Sequence, residues 1–132
     1  MVSLHDVVMY LVPSARANID FDVARVNGVQ AIVAWRSALP QPTPAELAAA
    51  ELPAAKAASI AANRAECSRR IFERYPAGRQ LSALAGLYDH GNVAAMTDWI
   101  AANISAENAA ADAIEAATTV AAVEAVTVAW PV

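Results

Sequence analysis

Few side chains in this sequence are of the types that carry covalent or acid–base chemistry: one cysteine, Cys67, two histidines, His5 and His90, and thirteen scattered carboxylates. A cysteine nucleophile needs a thiolate, drawn out by a neighbouring histidine or another cation. Cys67 instead falls on three-to-four spacing with Ala57, Ile60, Ala61, Ile71 and Tyr75, where a small thiol packs as a hydrophobe. Asp89 and His90 are adjacent donors, but adjacent side chains diverge and a metal centre needs three or four that converge. His90 therefore reads as an exposed loop residue, and His5, on a short terminal helix, has no better company. Asp20 and Asp22 stand at i, i+2 on one face of a strand, a spacing open to acid–base or cation work. The same pair also guards a sheet edge against aggregation, the reading adopted here. Arg69, Arg70, Arg74 and Arg79 offer an anion grip, but Glu66 and Glu73 lie among them and make a solvated, internally paired face. With only Gly28, Gly78, Gly86 and Gly91 there is no glycine-rich phosphate loop. The expectation is a chain that is not an enzyme, with no catalytic residue, no metal site and no cofactor.

Composition narrows the partners. A net charge of −4 over 132 residues lacks the basic footprint that phosphates demand, so no nucleic acid is expected. The lone cysteine rules out an internal disulfide framework. The apolar stretch from Ala109 to Trp130 contains Asp112, Glu115 and Glu124, each costly at bilayer depth, and membrane insertion is not expected. The N-terminal residues lack a positive n-region and carry Asp6, so they read as a short amphipathic helix and not as a signal peptide. Thirty-five alanines make the chain apolar while burying little area per residue, which points to closely packed helices.

The elements that position these residues follow from local signals. Asn27-Gly28 between β-rich runs predicts a hairpin, because a type I′ turn needs positive φ at both central residues. A two-residue loop there sets Val26 opposite Val29, Val23 opposite Ile32 and Phe21 opposite Ala34. Ile19, Phe21, Val23 and Ile32 then share a face that packs on the N-terminal helix, while Asp20, Asp22, Val26, Val29, Val33 and Trp35 share the other. The run Leu39-Pro40-Gln41-Pro42-Thr43-Pro44 is a stiff linker. Thr43-Pro44-Ala45-Glu46 is a capping box with proline at the first helical position. The helix it opens is expected to reach Leu52, bend or restart at Pro53 and continue to Tyr75. A shorter helix from Ala77 to Asp89 puts Leu81, Leu84, Leu87 and Tyr88 on one stripe. Gly91 then reads as a left-handed cap and Asn92 as the N-cap of a last long helix that buries Val93, Met96, Ile100, Ile104 and Ile114. Thr118-Thr119 marks a new cap or a break, and Val126 to Trp130 alternates like a strand. The fold class is mainly α with a small β-hairpin. A helix and hairpin module spans residues 1–40, and an alanine-rich module of about three helices with an extended C-terminal tail spans 41–132. Six of the nine basic residues lie between Lys56 and Arg79, whereas Gln80 to Val132 has six acids and no base, which suits antiparallel helices.

The short N-terminal helix, the hairpin ending in Trp35, the Pro40-Gln41-Pro42-Thr43-Pro44 linker and the Ala45-Glu46-Leu47 helix start resemble small tail proteins of tailed bacteriophages, which are encoded beside the tail fibre and its assembly chaperone. Cys67-Ser68-Arg69-Arg70-Ile71 and the closing Ala129-Trp130-Pro131 look similar to the helical tails of such proteins. The resemblance implies a structural tail or tail-fibre component, assembled in the host cytoplasm and carried in the virion. Its partners would be other tail or fibre proteins in a symmetric assembly, with homo-oligomers expected. A transient fibre-assembly chaperone and a bacterial helical adaptor are the alternatives. A two-stranded hairpin is marginal alone. Val26, Val29, Val33 and Trp35, together with Val126, Val128 and Trp130 of the C-terminal strand, are therefore the expected partner interface.

Overall fold

The computed structural model describes residues 2–132. Its elements in chain order are α1 (Leu4–Leu11), β1 (Phe21–Val26), β2 (Val29–Trp35), α2 (Pro44–Arg74), α3 (Ala77–Leu84), α4 (His90–Ala116) and α5 (Val120–Glu124). With 60% of residues helical and a two-stranded antiparallel sheet among the described residues, the fold is mainly α with a hairpin, as the sequence predicts. It divides into two compact units, Met1–Ala58 with Ala117–Glu124, and Ser59–Ala116 with Ala125–Val132. The division falls inside α2 and not at the proline linker, because the first turns of α2 carry core residues of the first unit.

In the first unit, α1 opens with a capping box: the Asp6 N–H donates to Ser3 Oγ at 3.2 Å, and the Ser3 N–H donates to Asp6 Oδ2 at 3.0 Å. These bonds satisfy two otherwise unpaired donors, and the Ser3 hydroxyl, which donates to Asp6 Oδ2, followed by the Ser3 N–H, holds the Asp6 carboxyl below its ordinary pKa. Val8, Val12, Ala15 and Phe21 form one apolar cluster, with Val23, Ile32, Trp35 and Leu47 packed against it. Val7 joins Ala50 and Ala54 of α2 in another. The expected packing of the hairpin on the N-terminal helix is present, except that Ile19 lies in the preceding turn and is exposed.

The hairpin turn is as expected, with φ of 52° at Asn27 and 81° at Gly28. Its register is not. Val26 pairs with Val29 and Val23 with Ile32, but Asp22 then pairs with Ala34 and Phe21 with Trp35. Val33 is an extra residue, a β-bulge that shifts everything beyond it by one position. Side chains alternate with period two, so the bulge moves Trp35 to the core face. There its ring centroid lies 6.0 Å from that of Phe21, and its indole N–H donates to the Leu39 carbonyl at 2.7 Å.

The second capping box is also present: the Glu46 N–H donates to Thr43 Oγ1 at 3.2 Å, and the Thr43 N–H donates to Glu46 Oε2 at 2.7 Å. The helix it opens runs through Pro53 without restarting. Pro53 removes one i→i−4 donor, but intact bonds on either side and the burial of Ala50, Ala54 and Ala55 carry the helix across the gap.

In the second unit α3 is shorter than expected. It ends in a Schellman turn at Gly86, φ 76°, where the Gly86 N–H donates to the Ala83 carbonyl and the Leu87 N–H to the Ser82 carbonyl. The left-handed cap is thus Gly86, and Gly91 lies within α4. Asp89 in turn takes the role expected of Asn92, its Oδ1 accepting from the Asn92 N–H at 2.8 Å, so α4 starts at His90. The buried stripe of α4 follows 3-4 spacing through Met96, Asn103, Glu107, Ala110 and Ile114, with Ile100 partly covered. Ile104, expected inside, is exposed because it stands one position off this seam. Ala57 and Ala61 of α2 are likewise exposed, while Cys67 and Tyr75 are buried.

No strand forms at Val126 to Trp130; residues 126–132 are irregular. The Trp130 N–H donates to the Val128 carbonyl at 3.0 Å, a tight bend that takes up the donor a ladder would use, and Pro131 has no N–H to offer. Thr119, expected as a cap, caps α5 by accepting from the Ala122 N–H at 3.1 Å.

Candidate interaction surfaces

The groups expected to be inert for chemistry are held by local partners. Asp20 Oδ2 accepts from Arg16 Nε at 3.0 Å, and Asp22 is gripped by both terminal nitrogens of Arg36 at 2.8 and 2.9 Å. Each arginine lowers the pKa of its own aspartate, so the two acids are separate anions and not a proton-sharing pair. Burial, followed by the charge of Glu107, pushes the Cys67 thiol up, the opposite of what a nucleophile needs. His5 Nδ1 lies 3.8 Å from Asp6 Oδ1, and His90 is an exposed first residue of α4. Among the described residues no group of three or more metal-ligating side chains converges, and no helix is long and apolar enough to cross a membrane.

The basic cluster is engaged within its own unit. Arg69 forks onto Glu66 at 2.8 Å and also reaches Glu73, and Arg70 donates to Glu66 at 2.9 Å. The Arg69 hydrogen bond comes first in holding the Glu66 carboxyl down at about 2. Arg74 stacks 4.1 Å from the Trp99 ring centroid, and Arg79 lies over Tyr75.

The expected interface residues part into three groups. Val26, Val29 and Val33 stand exposed on the hairpin, Val29 by 69%. Beside them a groove of about 460 Å³ opens between α1, the hairpin tip and the start of α2, lined by Leu4, Val7, Val29, Leu47 and Glu51. Trp35 belongs to the core side for the reason given. The tail residues Val126, Val128 and Trp130 are half-buried, and Arg70 lies 5.1 Å from the Trp130 ring centroid. The structure thus pairs Val26 with Val29 at the hairpin tip, leaves Val33 exposed farther along the strand at the bulge, and separates Trp35 from them.

Two features escaped the sequence. Among the described residues, Trp99 Nε1, Asn103 Oδ1 and Glu107 Oε1 are buried without a hydrogen-bond partner, and Arg64 Nε approaches Glu107 no closer than 3.7 Å. The 3-4 spacing from Met96 to Ile114 was the available signal, but the polar types of Asn103 and Glu107 mask it. The other is the outward turn of the α3 leucines: their spacing places them on one stripe without saying which way it faces.

Residues 4–59 match the family model of the XkdW protein. The match supports a phage-associated protein. It runs from the start of α1 into α2, and therefore covers the hairpin, the proline linker and nearly all of the first segment of the first unit, short of half the chain. No curated protein and no solved structure matches the chain.

Proposed function

We propose that this chain is a non-enzymatic structural component of a phage tail or tail-fibre apparatus, acting through protein–protein contacts in virion assembly or host attachment. The observation that carries the reading is the coincidence of the family-matched segment with the unit that exposes Val26, Val29 and Val33 on a hairpin whose core side alone is covered. A two-stranded sheet has free edges on both sides, and an added strand or an apolar surface from a neighbouring tail protein would cover what water now touches. Trp35 supports the hairpin from its core side, so the contact rests on the valines. The chain is assembled in the host cytoplasm and remains in the tail.

Mass spectrometry of purified particles tests this. The chain is expected at fixed stoichiometry, and Val29→Asp combined with Val33→Asp is expected to prevent incorporation while circular dichroism keeps its helical signal. Presence during assembly but absence from mature particles would make it a transient chaperone. Absence from both would make it a bacterial adaptor.

A further inference from the structure

The second unit carries a surface that the hairpin reading does not use. Helix α3 buries Ala83, with Gln80 and Ser82 partly covered, and turns its leucines outward: Leu81 and Leu84 are 66% and 84% exposed. Leu87, just past the Schellman turn, is 73% exposed, and in such turns this position commonly lies back against the residue that here is Leu81. Three of the chain's eight leucines thus stand in water within one turn and its cap. From Gln80 to Tyr88 there is no charged residue, and Arg79 is drawn aside over Tyr75.

We infer that this face of α3 is a self-association surface, whose occupant is the same face of a second copy of this chain. Helical spacing puts Ala77, Gly78, Leu81, Leu84 and Ala85 on the side away from Ala83, all of them exposed. The order is small, small, large, large, small, so that about Leu81 the small Gly78 three residues before it answers the large Leu84 three residues after it, and Ala77 answers Ala85. Two such helices laid antiparallel across a two-fold axis at Leu81 set Leu84 of each copy into the gap over Gly78 of the other. A side chain at Gly78 would meet nothing within 4 Å of its first carbon, so that gap is open. The contact is self-complementary, as a two-fold interface must be. Its neutrality lets two copies of a chain with net charge −4 approach without like charges facing each other. The three leucines with the rim of Tyr88 and the alanines present on the order of 500 Å² of apolar surface, a size at which patches on monomers mark function. Two copies together bury about 1,000 Å², the lower bound of a specific interface, which fits a reversible dimer.

Sedimentation equilibrium of the full chain, from roughly 5 to 200 μM, reads the dimer directly. The wild type is expected to dimerise in this range. Leu84→Glu, at a position too exposed to matter for folding, is expected to abolish dimerisation with the helical circular dichroism unchanged. Gly78→Glu tests the gap: it suits the helix of the isolated chain better than glycine does, yet it is expected to weaken the dimer at least tenfold. Leu81→Cys is expected to form a disulfide-linked dimer under mild oxidation faster than a cysteine at the exposed Ala102. A wild type that stays monomeric to 200 μM, a Leu84→Glu chain that dimerises undiminished, or a Leu81→Cys chain no faster than the Ala102→Cys control would each overturn the inference. None of these readouts depends on particle incorporation, so the tail-component reading can fail while this one stands, and the reverse.

Discussion

Asn103 is the residue whose replacement most sharply tests the packing of the second unit. It is fully buried on the α4 seam, its Nδ2 donating to the Trp99 carbonyl at 2.9 Å and its Oδ1 without a partner. That carbonyl lies one turn back on the same helix, so the Asn103 amide adds a second bond to an acceptor the α4 backbone ladder already uses. Asn103→Leu removes the side-chain bond, a net loss of about 1 kcal/mol, and removes the orphaned acceptor, a gain of ~1–3 kcal/mol. Burying an apolar side chain adds ~1.5–3 kcal/mol, from which the larger volume of leucine subtracts ~1–2 kcal/mol of strain. The terms centre on a stabilisation of about 2 kcal/mol, or a rise of roughly 6–7 °C in Tm for a chain of this size. Thermal and urea unfolding followed by circular dichroism measure it. A loss of 1 kcal/mol or more would mean that Oδ1 is satisfied in solution, by an ordered water, and that the seam is polar by construction.

Three further expectations use the same logic. Val29→Asp, on the exposed hairpin face, should leave stability within about 0.5 kcal/mol, whereas Trp35→Ala, on the core side of the bulge, should cost ~1–3 kcal/mol in urea unfolding; equal effects would refute the bulged register. Gly86→Ala should cost about 1 kcal/mol because of its positive φ, while Gly91→Ala, inside α4, should be neutral or stabilising by up to ~1 kcal/mol, and the reverse order would return the cap to Gly91. The Glu66 carboxyl, depressed from its ordinary 4.5 to about 2, should titrate near that value by NMR. A depressed carboxylate contributes stability that is complete above the unfolded pKa and is lost as pH falls through the folded one. The contribution of Glu66 should therefore fade between pH 4.5 and about 2, and Arg69→Gln should move the titration back up.

Signals confined to a few neighbouring residues were legible in the sequence. The Asn27-Gly28 turn, the Thr43/Glu46 capping box and the cap at Thr119 depend on positive φ or on a side chain reaching the backbone three residues away, and all three form as read. The mainly helical class followed from the alanine content and the long three-to-four spacings. What only the tertiary structure decided is which side of each element faces inward. The bulge at Val33 has no local sequence mark, since Val29 to Trp35 alternates acceptably in either register, and yet it carries Trp35 from the solvent face to the core. Leu81, Leu84 and Leu87 read as one apolar stripe, and such spacing reports that a face is apolar, not whether anything covers it. Asn103 and Glu107 are of types normally solvated and stand outside the apolar stripe expected of the last helix, but their places on the α4 seam bury them regardless. The alternation from Val126 to Trp130 is strand-like, but a strand exists only when another backbone pairs with it, and here the chain bends upon itself at Val128 and rests under Arg70. Local chemistry is written in neighbouring residues, while burial and pairing belong to whatever the rest of the chain brings alongside.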